Sequence, residues 1–280
     1  MNKIFKKFSF TFLCFSLIGC GNDNFKAQSE LGGLRVLALS ANTPEINSAA
    51  TVTVTPLISY VDGGGATINY SWEACPDPGI DFGAEVSCDS SPASLKQSSS
   101  GSFNTNTLSA SLFTGVATSI SVVVSSAIFA YFATLDSDLQ FNGVDYLVIV
   151  IYTDSNNGKE VTALKRIRLT SKAGGDLNTN PTFGGMLFNN SAILAYPTSE
   201  GDFLLSSTSA PQTYSQITNV GTKTFSEDMF ISWYASSGEF LSNRTDVGEK
   251  STFDPKGSSG IFVAVYRDGR GGVSFDVESF

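Results

Sequence analysis

The most informative chemical fact in this 280-residue chain is that it contains no histidine. Ser-His-Asp and Cys-His nucleophilic catalysis, histidine zinc sites and histidine pH switching are thereby excluded. Histidine-free nucleophile motifs are missing too. No lysine has a serine three residues before it, no Gly-x-Ser-x-Gly elbow occurs, and Gly158-Lys159 is followed by Glu160 rather than the Ser or Thr of a phosphate-binding loop. Carboxylate chemistry survives, because a glycosidase needs only two carboxylates at a fixed separation. The chain offers 26 Asp and Glu, and no pair among them is singled out by spacing. The sequence therefore assigns no catalytic residue. It favours a binding or structural role, with a carboxylate-based hydrolase as the alternative.

Asp136, Asp138, Asp145, Asp154 and Asn156 supply hard oxygen atoms on turn-like segments, the donor type that Ca²⁺ uses. Asp136, Asp138 and Asp154 are the calcium candidates. Their spacing is not that of an EF-hand, since position 12 counted from Asp154 is Lys165. Asx residues also populate turns for local hydrogen-bonding reasons, so no metal and no cofactor is assigned.

The remaining chemistry is cysteine chemistry, and the four cysteines divide by position. Lys3, Lys6 and Lys7 precede an apolar run from Phe8 to Ile18, the plan of a secretory leader and too short to span a bilayer. At its end Leu17-Ile18-Gly19-Cys20 resembles the lipobox of bacterial lipoproteins. The resemblance implies that residues 1–19 are a signal peptide, that Cys20 is acylated and anchors the chain to a membrane, and that 20–32 is a tether. Gly21 in place of aspartate favours, by analogy with enteric sorting, the outer membrane, on its periplasmic or surface face. Cys14 then leaves with the leader and Cys20 carries lipid. Cys75 and Cys88 remain as the pair expected to form a disulfide in an oxidising compartment, closing Pro76 to Ser87. Two free thiols or half of a metal site are the other reading, but zinc wants four ligands.

Charge narrows the partners. The full chain carries −9, and loss of the three leader lysines takes it to −12. Such a surface repels nucleic acid and anionic headgroups. An envelope protein or a glycan is the expected partner, and a surface adhesin recognising glycans or another cell is a further alternative.

The elements that must position these residues read as strands. Leu34 to Leu39 (Leu-Arg-Val-Leu-Ala-Leu) reads as a strand, Thr51 to Thr55 alternates with period two, and Ile68 to Trp72 follows the turn Asp62-Gly63-Gly64-Gly65. Gly143 to Tyr152 is a buried strand that turns at Asp154 to Gly158 and returns as Glu160 to Thr170. From Gln97 to Leu135 no residue is charged. Six Ser and Thr interrupt its apolar second half, which predicts a strand pair or a strand and a short helix rather than a membrane span. Ser171 to Asn180 reads as a linker closed by Pro181. Beyond it, Met229 to Tyr234 and Ile261 to Tyr266 are core strands, and Asp268-Gly269-Arg270-Gly271-Gly272 turns into Val273 to Phe280. Arg267 and Arg270 are candidates for pairing with carboxylates.

Two runs, "VLALSANTPEI…ATVTVTPLISYVDGGG…NYSWEAC" and "ISWYASSGEF…RTD…FVAVYRDGRGGVSF", resemble the first and terminal modules of lipoproteins common in predatory and gliding bacteria of the deltaproteobacterial kind. The resemblance implies an all-β chain of two immunoglobulin-like β-sandwiches, 33–172 and 178–280, with Trp72 in a core and Cys75 stapling the loop after it. It implies location and fold, and no activity.

Overall fold

The computed structural model describes residues 29–78, 86–108 and 113–280. The lipobox and Cys20 lie outside the described residues, as do 79–85 of the loop between the paired cysteines and the end of the uncharged 98–112 stretch.

The first half of the chain contains β1 (Arg35–Ala41), β2 (Glu45–Ile46), β3 (Ala50–Ser59), β4 (Thr67–Pro76), β5 (Gln97–Asn104), β6 (Thr114–Val116), β7 (Ile120–Val124), α1 (Ser126–Phe132), α2 (Ser137–Asn142), β8 (Val144–Asp154) and β9 (Glu160–Leu169). One sheet has the order β1-β3-β6, with β7 also on β3. Facing it is a five-stranded sheet of order β2-β9-β8-β4-β5. Period-two alternation builds the layer between them. Val52, Val54 and Ile58 of β3 and Ile120, Val122 and Val124 of β7 meet Ile68, Val148, Val150, Tyr152 and Ile167. The outer face of β8 is covered as well. Leu147 and Ile149 lie under Cys75 and Cys88, which are joined as a disulfide, so β8 reads as a continuous apolar run instead of an alternation.

The apolar second half of the uncharged stretch resolves into strand β7 and the short helix α1. Ser125 caps α1 by accepting from the Ile128 N–H at 3.4 Å, and Ile128 and Phe132, four apart on one helix face, close the end of the core. No helix among the described residues is long and apolar enough to cross a membrane. If the chain were an adhesin, the uncharged stretch Ser98 to Leu112 would be an expected contact loop, but its first part is a strand. Gln97–Asn104 is strand β5, paired with β4 from Thr67↔Asn104 to Ala74↔Gln97. An edge strand with Ser98 to Ser102 exposed buries too little apolar surface to show alternation.

The second half contains β10 (Gly185–Phe188), β11 (Ser191–Ala192), β12 (Gly201–Ser206), β13 (Thr213–Thr218), β14 (Gly221–Ser226), β15 (Phe230–Ala235), β16 (Glu239–Phe240), β17 (Arg244–Asp246), β18 (Ser251–Asp254), β19 (Ile261–Arg267) and β20 (Val273–Ser279). Sheets of order β11-β10-β12-β18-β16 and β17-β15-β19-β20 face each other, and β13-β14 is a separate hairpin. The abundant phenylalanine is spent here. Phe203 stands 4.8 Å from Phe262 between ring centroids, and Phe253 stands 5.0 Å from both Phe240 and Phe262. Trp233 is fully buried among them and donates its indole N–H to Thr245 Oγ1 at 2.9 Å. Trp72 is only partly buried against the first core. The molecule is mostly β, with β-sandwich-like pairs of antiparallel sheets.

Candidate functional site: the cleft between the two halves

Strand β19 is buried on both faces. Phe262, Ala264 and Tyr266 enter the second core, while Ile261, Val263 and Val265 face the other way, onto Leu37, Ala38 and Leu57 of β1 and β3. A third apolar layer therefore joins the two sandwiches. At roughly 1.5–3 kcal/mol per fully buried aliphatic side chain, it is a permanent junction. The N-terminal described residues reinforce it. Leu31 N–H donates to the Ala235 carbonyl at 2.7 Å and Ala235 N–H to the Ser29 carbonyl at 2.9 Å, so the chain touches the second sandwich before it enters the first.

Polar groups close the junction, and the Asp268-Gly269-Arg270-Gly271-Gly272 turn organises them. Asp268 Oδ1 accepts from the backbone N–H groups of Arg270 at 2.7 Å and Gly272 at 2.9 Å, which folds the turn around its own carboxylate. Gly269 and Gly271 take φ of +73° and +111°, and a Cβ on Gly272 would lie 1.9 Å from Asp268 Oδ2. Only glycine fits these places. The turn aims Arg270 inward. Its guanidinium donates to Glu45 Oε2 at 2.6 Å and Glu227 Oε1 at 3.1 Å and lies 4.2 Å from the centre of the Tyr214 ring. Glu45 and Glu227 side chains are each 1 % exposed. Glu45 also accepts from the Asn178 N–H at 2.8 Å and sits 3.8 Å from the Lys172 ammonium. Burial pushes the Glu227 carboxyl up, and a backbone N–H from Gln212 opposes it. The segment expected as a free linker thus places Lys172 and Asn178 in a buried ion network.

The pairing expected for Arg270 is present. Arg267 takes another course: it donates to Ser232 Oγ at 2.9 Å and the Leu37 carbonyl at 2.8 Å, a second tie across the junction. Sequence reasoning missed Glu45, Glu227 and Lys165. A carboxylate 225 positions from its arginine leaves no local signal.

Beside this network lies a cleft of 680 Å³, walled by β1 and β9 on one side and by β13 and the β19–β20 turn on the other. Lys165, Arg166, Arg168, Arg267 and Arg270 line it, against a single lining carboxylate, Asp145. Arg168 holds Asp145 at 3.0 and 3.2 Å through two nitrogens, and Arg166 Nε holds Asp77 at 2.7 Å. Lys165 is buried and donates to the Gly271 carbonyl. Burial pushes its ammonium down to about 8, with Asp268 acting upward and Arg267 further downward.

The calcium candidates do not converge. Asp136 and Asp138 are exposed at the start of α2. Asp145 belongs to Arg168, and Asp154 accepts from the Tyr60 hydroxyl at 2.5 Å and from the Asn156 N–H at 2.9 Å. Among the described residues no group of three or more His, Cys, Asp or Glu could hold a metal ion.

No family model and no curated protein sequence matches the chain. Distant similarity to solved structures exists. A red sea bream transglutaminase aligns over 89% of this chain and 31% of its own, at 8% identity and a TM-score of 0.28. The native conformation of Escherichia coli alpha-2-macroglobulin aligns over 88% of this chain and 16% of its own, at 11% identity and 0.29. Salmonella alpha-2-macroglobulin reacted with methylamine gives 92%, 17%, 12% and 0.28. The chain spans less than a third of each of these proteins. The likeness is to their β-sandwich modules and reaches no further than that.

Proposed function

We propose that this chain is a lipid-anchored cell-envelope protein, held to the outer membrane through acylated Cys20. In this reading its two sandwiches, immunoglobulin-like in kind, act as one rigid element for binding or spacing, without catalysis. The deltaproteobacterial two-module lipoproteins are the group it resembles in sequence. The observation that carries the proposal is the junction. Apolar side chains of β1, β3 and β19 and a buried four-residue ion network unite the sandwiches, a construction suited to holding a fixed shape at a set distance. The leader and lipobox supply the anchor. Tethering has a short reach, because the residues between Cys20 and Ser29 span at most about 30 Å when extended. Protease treatment of intact cells beside a Cys20→Ala variant tests the reading. Release of the variant with retention of the wild type supports the anchor, and equal retention of both refutes it. Digestion from outside places the protein on the surface; protection until the outer membrane is permeabilised places it in the periplasm.

A carboxylate hydrolase is the second reading, and one observation favours it. Asp276 and Glu278 alternate onto one face of β20 in a cleft beside Phe183, and burial, with Asp276 adding to it, pushes the Glu278 carboxyl up. Asp276 is already engaged by the Met186 N–H at 3.3 Å. Cleavage of cell-wall glycan by the wild type, lost in Glu278→Gln, is the result this reading requires.

A further inference from the structure

We propose that the cleft between the two sandwiches is a binding site for a small anion bearing a phosphate-like or carboxylate group, held by Lys165, Arg166 and Arg168. The inference goes beyond anchoring and spacing and does not depend on them. Its basis is a local inversion of charge. The chain as a whole carries −9, yet five cationic side chains and one carboxylate line this cleft. Two of the five cations are committed to the junction: Arg270 to Glu45 and Glu227, and Arg267 to Ser232 and the Leu37 carbonyl. The other three keep donors in reserve. Lys165 has three N–H donors and uses one on Gly271. Arg166 uses Nε on Asp77, and Arg168 uses Nε and Nη2 on Asp145, which leaves guanidinium nitrogens of both for a further acceptor.

Lys165 is the decisive member. A buried ammonium with one backbone acceptor is costly to keep charged, and an anion in the cleft would add to the counter-charge that Asp268 supplies. Tyr214 and Gln216 add polar groups from β13, and the volume falls in the range of small-molecule sites. The charged groups facing Lys165 are Asp268 and Arg267 from β19 and its turn, with Arg166, Arg168 and Asp145 on its own sheet and Arg270 across the cleft.

The test titrates the full-length chain in detergent with inorganic sulfate, whose charge is constant with pH, and with inorganic phosphate, both against chloride at matched ionic strength. Saturable sulfate binding by calorimetry is expected. It weakens at least about fivefold in Arg166→Gln, whose side chain is 41% exposed and whose folding is checked by circular dichroism, and more in Lys165→Gln. Affinity falls as pH rises from 7 to 9.5, because the ammonium is lost over that interval. A second arm floats the Cys20→Ala variant with phosphatidylglycerol vesicles. Recruitment that Arg166→Gln abolishes identifies a lipid headgroup as the source of the anion, and sulfate binding without recruitment identifies a free one. No saturable sulfate effect beyond chloride and no recruitment, or binding unchanged in both variants, overturns the proposal.

Discussion

Arg270→Met removes the central cation of the junction while keeping most of its volume. Two carboxylates lose their partner, but unequally. Glu45 keeps the Asn178 N–H and Lys172 at 3.8 Å, whereas Glu227 keeps only the Gln212 N–H at 2.8 Å. Breaking a buried pair by deleting one partner costs about 3–5 kcal/mol, and loss of the Tyr214 contact adds about 0.5–1 kcal/mol. In a domain of this size about 1 kcal/mol shifts the melting temperature by about 2–4 °C, so the variant should melt about 7–24 °C below wild type. Urea denaturation at pH 7.5 and pH 4.5 measures the deficit. The Glu227 carboxyl is already raised by burial, so its contribution to stability is present at low pH and is lost as pH rises through that raised value. Without Arg270 it rises further. The deficit should therefore shrink at pH 4.5, and Glu227→Gln in the Arg270→Met background should recover part of it at pH 7.5. A deficit below about 1 kcal/mol, or one equal at the two pH values, refutes the assignment of Arg270 as the keystone of the junction.

Other outcomes follow from single contacts. Cys75→Ser with Cys88→Ser should cost roughly 3 kcal/mol in denaturant unfolding, the loop-closure value for a loop of this length. Gly272→Ala places a Cβ against Asp268 Oδ2 and 3.0 Å from the Thr179 carbonyl, and should lower the melting temperature more than Gly175→Ala, where nothing lies within 4 Å. The Tyr60 hydroxyl and, after it, the Asn156 N–H hold Asp154 below the usual carboxylate range. That stabilisation is present above the unfolded pKa and lost as pH falls through the folded one, so Tyr60→Phe should weaken the protein at pH 7 and much less at pH 2.5, by circular dichroism.

Much of the first sandwich was legible because its strands are either alternating or continuously apolar and are bounded by turn residues. Thr51 to Thr55 alternates and lies in β3, and Gly143 to Tyr152 with its return to Thr170 gives β8 and β9 almost at their true bounds. The disulfide was legible from cysteine arithmetic. Strand β5 was hidden, since an exposed serine-rich edge has no apolar period. The short strands β10, β11, β16 and β17 were hidden too, being two to four residues long. Strand β19 shows the limit of pattern reading most clearly. Its unbroken Ile261 to Tyr266 says that both faces are covered, and nothing local says that Leu37 and Leu57 cover one of them.

The junction also constrains how such a chain can be assembled as it is made. Leu37 receives a hydrogen bond from Arg267, 230 positions later, and Ser40 gives one to Val273, 233 positions later. Strand β1 is thus left with a bare apolar flank until β19 and β20 have emerged. Contacts this distant in sequence form slowly, and a half-finished chain exposes Leu37 and Leu57 to its neighbours in the meantime. Completion of the first sandwich therefore waits on the last strands of the second, so the two mature together as one cooperative unit.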